Sequence, residues 1–262
     1  MFECELPFDH KTLHLELEDK NFAGVMEGHQ NEFKTTKSQE ELVEESLAKP
    51  SLEELCAGKK DIVIISSDHT RPVPSRVTMP ILLHHIHSAA PEARVRILVA
   101  TGMHRPSTHE ELVNKYGEEI VANEEIVMHV ATDDSMMKKI GTLPSGGECI
   151  INKIAADCDL LLAEGFIEPH FFAGFSGSRK SVLPGIASYK TIMYNHNGQF
   201  VNDSHSRAGN LCHNHVSEDM FAAAEMAHLA FVLNVVLNGK HEVIGSFAGD
   251  IHKAHEAGCE FV

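Results

Sequence analysis

Three stretches of this 262-residue chain gather side chains that do chemistry, and each follows a short apolar run. After DIVIIS comes SSDHTRPVPS, where Asp68 can accept hydrogen bonds and Arg71 can offer a planar fork to a carboxylate. Pro72 and Pro74 hold the backbone there extended. The same letters also fit an Asp helix cap beside a solvated arginine. After RVRILVA comes TGMHRPST, where Gly102 permits a sharp turn and His104 and Arg105 emerge. After DLLLAEG comes FIEPHFFAGFSGSRKSVLPGIASYKTIMYNH, with His170, Lys180 and His196. One histidine past a strand is usually structural. Three, one past 94–100 and two on the loop past 159–165, fit a metal site or an acid/base pair.

The glycine-rich part of the third stretch invites comparison with a phosphate loop. Gly174, Ser176, Gly177 and Ser178 can turn backbone amides toward an anion, with Arg179 and Lys180 adding charge. The segment departs from the P-loop, which wants glycine just before its lysine, where this chain has Arg179. The expectation is an anion-binding nest rather than an ATPase loop. A lysine held in such a place can have a lowered pKa and act as nucleophile or covalent anchor. A surface lysine on a glycine-rich turn is the plain alternative.

The elements that must position these residues alternate. Strand-like runs at 61–66, 94–100, 125–130, 159–165, 231–237 and 241–247 are separated by helix-like segments at about 39–57, 75–89, 107–116, 217–228 and 249–258. Several runs are apolar on both faces, as buried parallel strands are. The pattern predicts an α/β fold, a doubly wound and mostly parallel sheet with helices on both faces. FECELPF and KTLHLEL, joined by a DHK turn, predict an N-terminal hairpin. Segment 21–57 reads as a solvated helix pair, and 165–216 as a long ordered functional loop. The chemistry-bearing stretches all follow strands, where open α/β sheets bind ligands.

A formal charge of −16 and the lack of a basic stripe exclude nucleic acid as a partner. No run approaches the length of a membrane span, and the polar start lacks signal-peptide order, so no membrane and a cytoplasmic location are expected. The cysteines, without a CxxC pair, read as reduced thiols. His84, His85 and His87 split between faces of one helix. Cys212, His213 and His215 make at most half of a metal site.

SSDHTRPVP, ATGMHRP, EPHFFAGFSGSRKSVLPG and the NH at 195–196 resemble, in order and spacing, the signature blocks of the nickel-dependent lactate racemase family. The resemblance extends through NVVLN and FAGD, so residues 1–262 correspond to that family's N-terminal domain. It implies a racemase or epimerase of a small 2-hydroxycarboxylate, working by reversible hydride transfer with a nickel pincer nucleotide. Lys180 would carry the cofactor covalently, and His196 would ligate nickel. His104 and His170 would be the acid/base groups, and Asp68 and Arg71 would position substrate and cofactor. Ser176, Gly177, Ser178 and Arg179 would bind the cofactor beside Lys180.

The chemistry is coherent, because the hydrogen beside an ionised carboxylate is too weakly acidic for simple deprotonation. Removing it as hydride avoids a carbanion and needs one histidine for each hand of substrate. Cofactor-synthesis proteins are implied as partners. Two departures stand out: Ser178 occupies a position where the family commonly has glycine, and the sequence ends at Val262 before any counterpart of the family's C-terminal domain, which closes the cleft. The lobe alone is therefore expected to be inactive. A phosphate- or nucleotide-binding enzyme and a non-catalytic nickel or nucleotide carrier are the competing readings.

Overall fold

The computed structural model describes residues 1–8, 11–26, 33–48 and 52–262. The chain divides into two units, 1–33 and 34–262. In the first, β1 (Phe2–Phe8) pairs antiparallel with β2 (Lys11–Leu17), with Phe2 opposite Leu17 and Phe8 opposite Lys11. This is the expected hairpin; Asp9 and His10 of its turn lie outside the described residues.

The second unit begins with α1 (Gln39–Leu47) and α2 (Leu52–Cys56). Then follow β3 (Asp61–Ser67), α3 (Ser75–Ala89), β4 (Arg94–Ala100), α4 (His109–Tyr116), α5 (Glu118–Asn123) and β5 (Glu125–Met128). A hairpin of β6 (Met137–Thr142) and β7 (Glu148–Asn152) leads to α6 (Lys153–Asp157) and β8 (Leu160–Phe166). The long loop holds a two-residue ladder, β9 (Pro169–His170) with β10 (Gly174–Phe175), then α7 (Arg179–Val182), α8 (Tyr189–Asn195) and α9 (Gly198–Val201). The chain closes with α10 (His215–Met226), β11 (Leu229–Leu237), β12 (Val243–Gly249) and α11 (Ile251–Phe261).

Six strands form one sheet in the order β12-β11-β8-β3-β4-β5. All neighbours are parallel except β11 and β12. The segment 238–242 is too short for a crossover helix, so β12 returns antiparallel. Alternating side chains of β3 feed two cores. Ile62 and Ile64 pack with α1, α2 and α3 through Val43, Leu47, Leu52, Met79 and Leu82. Val63 and Ile65 pack on the opposite face with Leu183, Ile186, Val216 and Met220. Helices thus cover both faces.

Two expectations are corrected. The helix pair at 39–57 is not merely solvated: Val43, Leu47, Leu52 and Cys56 are buried against the sheet. The period of three to four between these apolar positions carried that signal. The β6–β7 hairpin was not foreseen, because its outer strand is polar and exposed at Lys138 and Lys139.

Candidate active site

The strand order reverses at β3, which has β4 on one side and β8 on the other. Open α/β sheets bind ligands in the crevice at such a point, beyond the C-terminal strand ends. All three chemistry-bearing stretches flank it: 68–71 follows β3, 101–104 follows β4, and 168–180 follows β8.

Asp68 is 1% exposed, and its Oδ1 accepts from the amide (3.0 Å) and hydroxyl (2.6 Å) of Thr70. Its Oδ2 lies 2.6 Å from His104 Nδ1. A buried carboxylate here accepts a hydrogen bond from Nδ1–H of the imidazole and leaves Nε2 with a free lone pair. The position expected to touch substrate or cofactor therefore serves, in this structure, as the orienting partner of His104. Lys115 faces the same region, donating to Ser67 Oγ at 3.3 Å. Burial lowers its pKa, opposed by the charges of Glu164 and Asp68.

His170 has the opposite arrangement. The amides of Phe172 (3.5 Å) and Ala173 (3.3 Å) point at its Nδ1, which puts the ring proton on Nε2. Burial, followed by the charges of Lys180, His196, Arg179 and Arg71, pushes its pKa down to about 3. Burial and then Lys180 bring His196 to about 4, so both rings are neutral at neutral pH. Asn195, which bonds Asp219 (3.1 Å) and the Val216 carbonyl (3.3 Å), fixes the end of α8 from which His196 projects.

Lys180 sits among these groups with no carboxylate partner among the described residues. Burial first, then Arg179 and Arg71, lower its amine to about 7. Phe172 is the hub of the cluster: its ring centre lies 4.6 Å from that of His170, 5.2 Å from that of His196 and 5.7 Å from Lys180 Nζ. Sequence reasoning placed it only within the ordered loop 165–216. Arg71 is exposed, its side chain makes no hydrogen bond among the described residues, and its charge acts on His170, Lys180 and Glu168.

The glycine-rich turn differs from the expected nest. The Ser176 amide donates to the Glu168 carbonyl, and its hydroxyl to the Phe166 carbonyl at 2.7 Å. The Ser178 amide and hydroxyl both donate to Asn234 Oδ1, at 2.9 and 2.7 Å. Arg179 turns inward, 2% exposed, onto backbone carbonyls. These groups are committed to holding the turn and are not open to an anion. Gly177, at φ +110°, is required by shape, since a Cβ would lie 2.7 Å from His255 Cδ2.

Sequence reasoning also missed Glu164. It is fully buried on β8 and accepts from the hydroxyls of Ser66, Ser75 and Thr78, while Tyr116 donates to Ser66 Oγ at 2.7 Å. An acidic residue within an apolar run was its only signal.

The family description "Lactate racemase N-terminal domain" matches residues 8–209. The chain belongs to the lactate racemase family. It is 62% identical to the lactate racemase of Lactiplantibacillus plantarum and 48% identical to that of Thermoanaerobacterium thermosaccharolyticum, in both cases over its whole length. It spans 63% and 62% of the lengths of those relatives. The structure of the lactate racemase apoprotein from T. thermosaccharolyticum superposes with a TM-score of 0.89 at 47% identity, over 99% of this chain and 62% of that one. A Thermotoga maritima protein, 24% identical over 85% of this chain and 58% of that one, shares the fold at a TM-score of 0.71. Asp68, Arg71, His104, Glu164, His170, Phe172, Lys180 and His196 fall inside the matched residues, whereas Asp219, Asn234 and His255 lie beyond them. No helix among the described residues is long and apolar enough to cross a membrane.

Proposed function

We propose that this chain is the cofactor-carrying lobe of a racemase that interconverts the enantiomers of lactate or a similar small 2-hydroxycarboxylate. The observation that carries the reading is the unpaired Lys180 amine, set with His170 and His196 around Phe172 and within the field of the free guanidinium of Arg71.

The residues fit a nickel pincer nucleotide. His196 keeps a buried Nδ1 without any hydrogen-bond partner, and its ring is neutral, as a metal ligand must be. Among the described residues no group of three ligating side chains gathers, so this chain offers nickel one imidazole and leaves the other ligands to the bound group. Lys180, lowered to about 7, has the neutral amine that covalent attachment needs. When bound, the cofactor supplies a reversible acceptor for the hydride on the substrate's 2-carbon.

The chain's own residues do the rest. Arg71 holds the substrate carboxylate through its two-pronged fork. His104, with Nδ1 on Asp68, presents Nε2 as a base for the substrate hydroxyl proton. His170 serves the opposite hand: to donate from Nε2 and end neutral it must first be protonated at Nδ1, giving up the amides of Phe172 and Ala173, and the two histidines exchange roles when the reaction runs backwards. Ser176, Gly177, Ser178 and Arg179 shape the turn that presents Lys180. The remaining length of the relatives closes the cleft and excludes water.

The test is peptide mass spectrometry of the chain, in continuity with the relatives' C-terminal region, made alongside cofactor-synthesis proteins. A pyridine-derived adduct on Lys180 together with chiral turnover of lactate is expected. Turnover with an unmodified Lys180 would remove the reading. An adduct without turnover of any 2-hydroxyacid would favour a carrier instead.

A further inference from the structure

Arg179 is the largest of the fully buried side chains. A guanidinium keeps its charge inside a protein, so burying it requires acceptors on every side. Here they are almost all neutral. Nη1 donates to the Ser176 carbonyl at 2.6 Å and meets His255 Nε2 at 2.7 Å. Nη2 donates to the carbonyls of Ala173 (3.1 Å) and Phe175 (3.1 Å) and to Ser217 Oγ (3.2 Å). Its flat face lies over Phe221, 4.7 Å from the ring centre. Only Nε lacks a partner.

Three of these acceptors belong to 173–176, the segment that enters the turn before Lys180. The other two come from elements distant in sequence, Ser217 on α10 and His255 on α11. His255 Nε2 lies between two groups of the turn, 2.7 Å from Nη1, which can only donate, and 2.9 Å from the Ser176 carbonyl, which can only accept. With the lone pair on Nε2 it receives the guanidinium and the ring proton on Nδ1 faces Cys259 Sγ at 3.5 Å, and with the proton on Nε2 it holds the Ser176 carbonyl instead. The bare Gly177 lets the His255 ring approach directly beneath the turn.

We propose that Arg179 is a positioning residue for Lys180: seated on Ser217 and His255, its guanidinium gathers the carbonyls of Ala173, Phe175 and Ser176 and so fixes the direction in which the lysine leaves the turn. The consequence for catalysis rests on Lys180 as the attachment residue, but the positioning itself does not. A lysine cannot replace the guanidinium, because a single ammonium cannot span carbonyls on two edges of a planar fork.

The experiment uses the cofactor-free chain and reads backbone amide hydrogen exchange across 173–181, with circular dichroism to check folding. Arg179→Ala and Arg179→Lys are each expected to speed exchange in that segment by about tenfold or more, while β3 and β4 stay protected. Millimolar methylguanidinium should restore protection in Arg179→Ala but not in Arg179→Lys. His255→Ala should loosen the same segment from α11, and His255→Gln, which keeps an acceptor, should not; this pair serves if Arg179→Ala does not fold. Unchanged exchange at 173–181 in a folded Arg179→Ala or His255→Ala variant, or uniform loosening without rescue, overturns the proposal. Mass analysis of Lys180 after co-production with cofactor-synthesis proteins separates the two claims. A parent chain with no adduct defeats the attachment reading while leaving the exchange result to decide the role of Arg179.

Discussion

His104 Nδ1 lies 2.6 Å from Oδ2 of Asp68, a carboxylate that is itself buried and held by two bonds from Thr70. The link fixes both the ring's orientation and its tautomer. Asp68→Asn keeps the shape but can present an amide donor to Nδ1, which would shift the proton to Nε2 and remove the base. On the proposed function, turnover by the full-length, cofactor-loaded protein should fall by up to about 10⁴-fold, the loss seen when an orienting carboxylate is replaced by its amide. Nitrogen-15 NMR of His104 in the cofactor-free chain checks the cause directly: Nδ1 should carry the proton in the parent and lose it in the variant.

His129 gives a pH prediction free of the active site. It is fully buried, accepting from Asn152 Nδ2 at 3.2 Å and donating to the Ala187 carbonyl at 3.0 Å. Burial, opposed by the bond to Ala187, lowers it to about 4. The unfolded ring takes its proton near pH 6.5, so between 6.5 and 4 the unfolded state binds the additional proton. The stability is complete above 6.5 and is lost as pH falls toward 4. His129→Gln, which keeps a donor for Ala187, should reduce the slope of unfolding free energy against pH in that window by up to about 1.4 kcal/mol per pH unit. Urea titrations at several pH values measure it, and parallel curves for parent and variant would contradict the assignment.

Much of this was legible in the sequence, and the reasons differ by residue. The strands β3, β4, β8 and β11 were visible because both their faces are buried, which writes apolar runs into the chain. His104, His170 and Lys180 were legible because they follow those strands. What Asp68 and Arg179 do was not, because direction is a tertiary property. The same letters RK place one cation in the cluster with His170 and turn the other inward onto carbonyls. Phe172 and Glu164 were missed for a similar reason: one looks like core and the other like a lone acid until their neighbours are known.

Glu164 supports the floor of the site. Its carboxylate collects the hydroxyls of Ser66, Ser75 and Thr78, joining β3 and α3 to β8 two residues before Asp68. Glu164→Gln replaces one acceptor oxygen by a donor facing hydroxyls, and about 1–3 kcal/mol of stability should be lost. Glu164→Leu should lose more, since all three hydroxyls are left without that acceptor. Equilibrium denaturation measures both, and an unaffected Gln variant would show that the hydroxyls simply turn around.

Lys180→Met should stabilise the cofactor-free chain at neutral pH. With the folded amine at about 7 and the unfolded one near 10.5, only the unfolded chain binds the proton between those values. Folded stability is thus complete above 10.5 and declines as pH falls to 7. Removing the amine removes that penalty, and the melting temperature at pH 7 should rise by about 2–6 °C. The gap between variant and parent should close as pH rises toward 10.5. A residue that weakens its own fold is a mark of function. Destabilisation by the methionine, or a gap that does not change with pH, would assign Lys180 a structural role.

The three imidazoles should separate by what they hold. His196 keeps a buried, unpartnered Nδ1, whereas His104 is tied to Asp68 and His170 takes two backbone amides. A ring hydrogen-bonded through one nitrogen still has the other for proton transfer, whereas nothing in the protein bonds Nδ1 of the neutral His196 ring, as suits a metal ligand. In loaded protein, His196→Ala should therefore lose most of its nickel, read by elemental analysis per chain. His104→Asn and His170→Asn should keep nickel near the parent level while losing turnover. Because the two enantiomers are equal in energy, each of these variants must lose kcat/KM equally in both directions, which makes a lopsided result a sign of an assay artefact. Equal nickel loss in all three variants would mean that the histidines share one metal site, and the division into ligand, base and acid would fall.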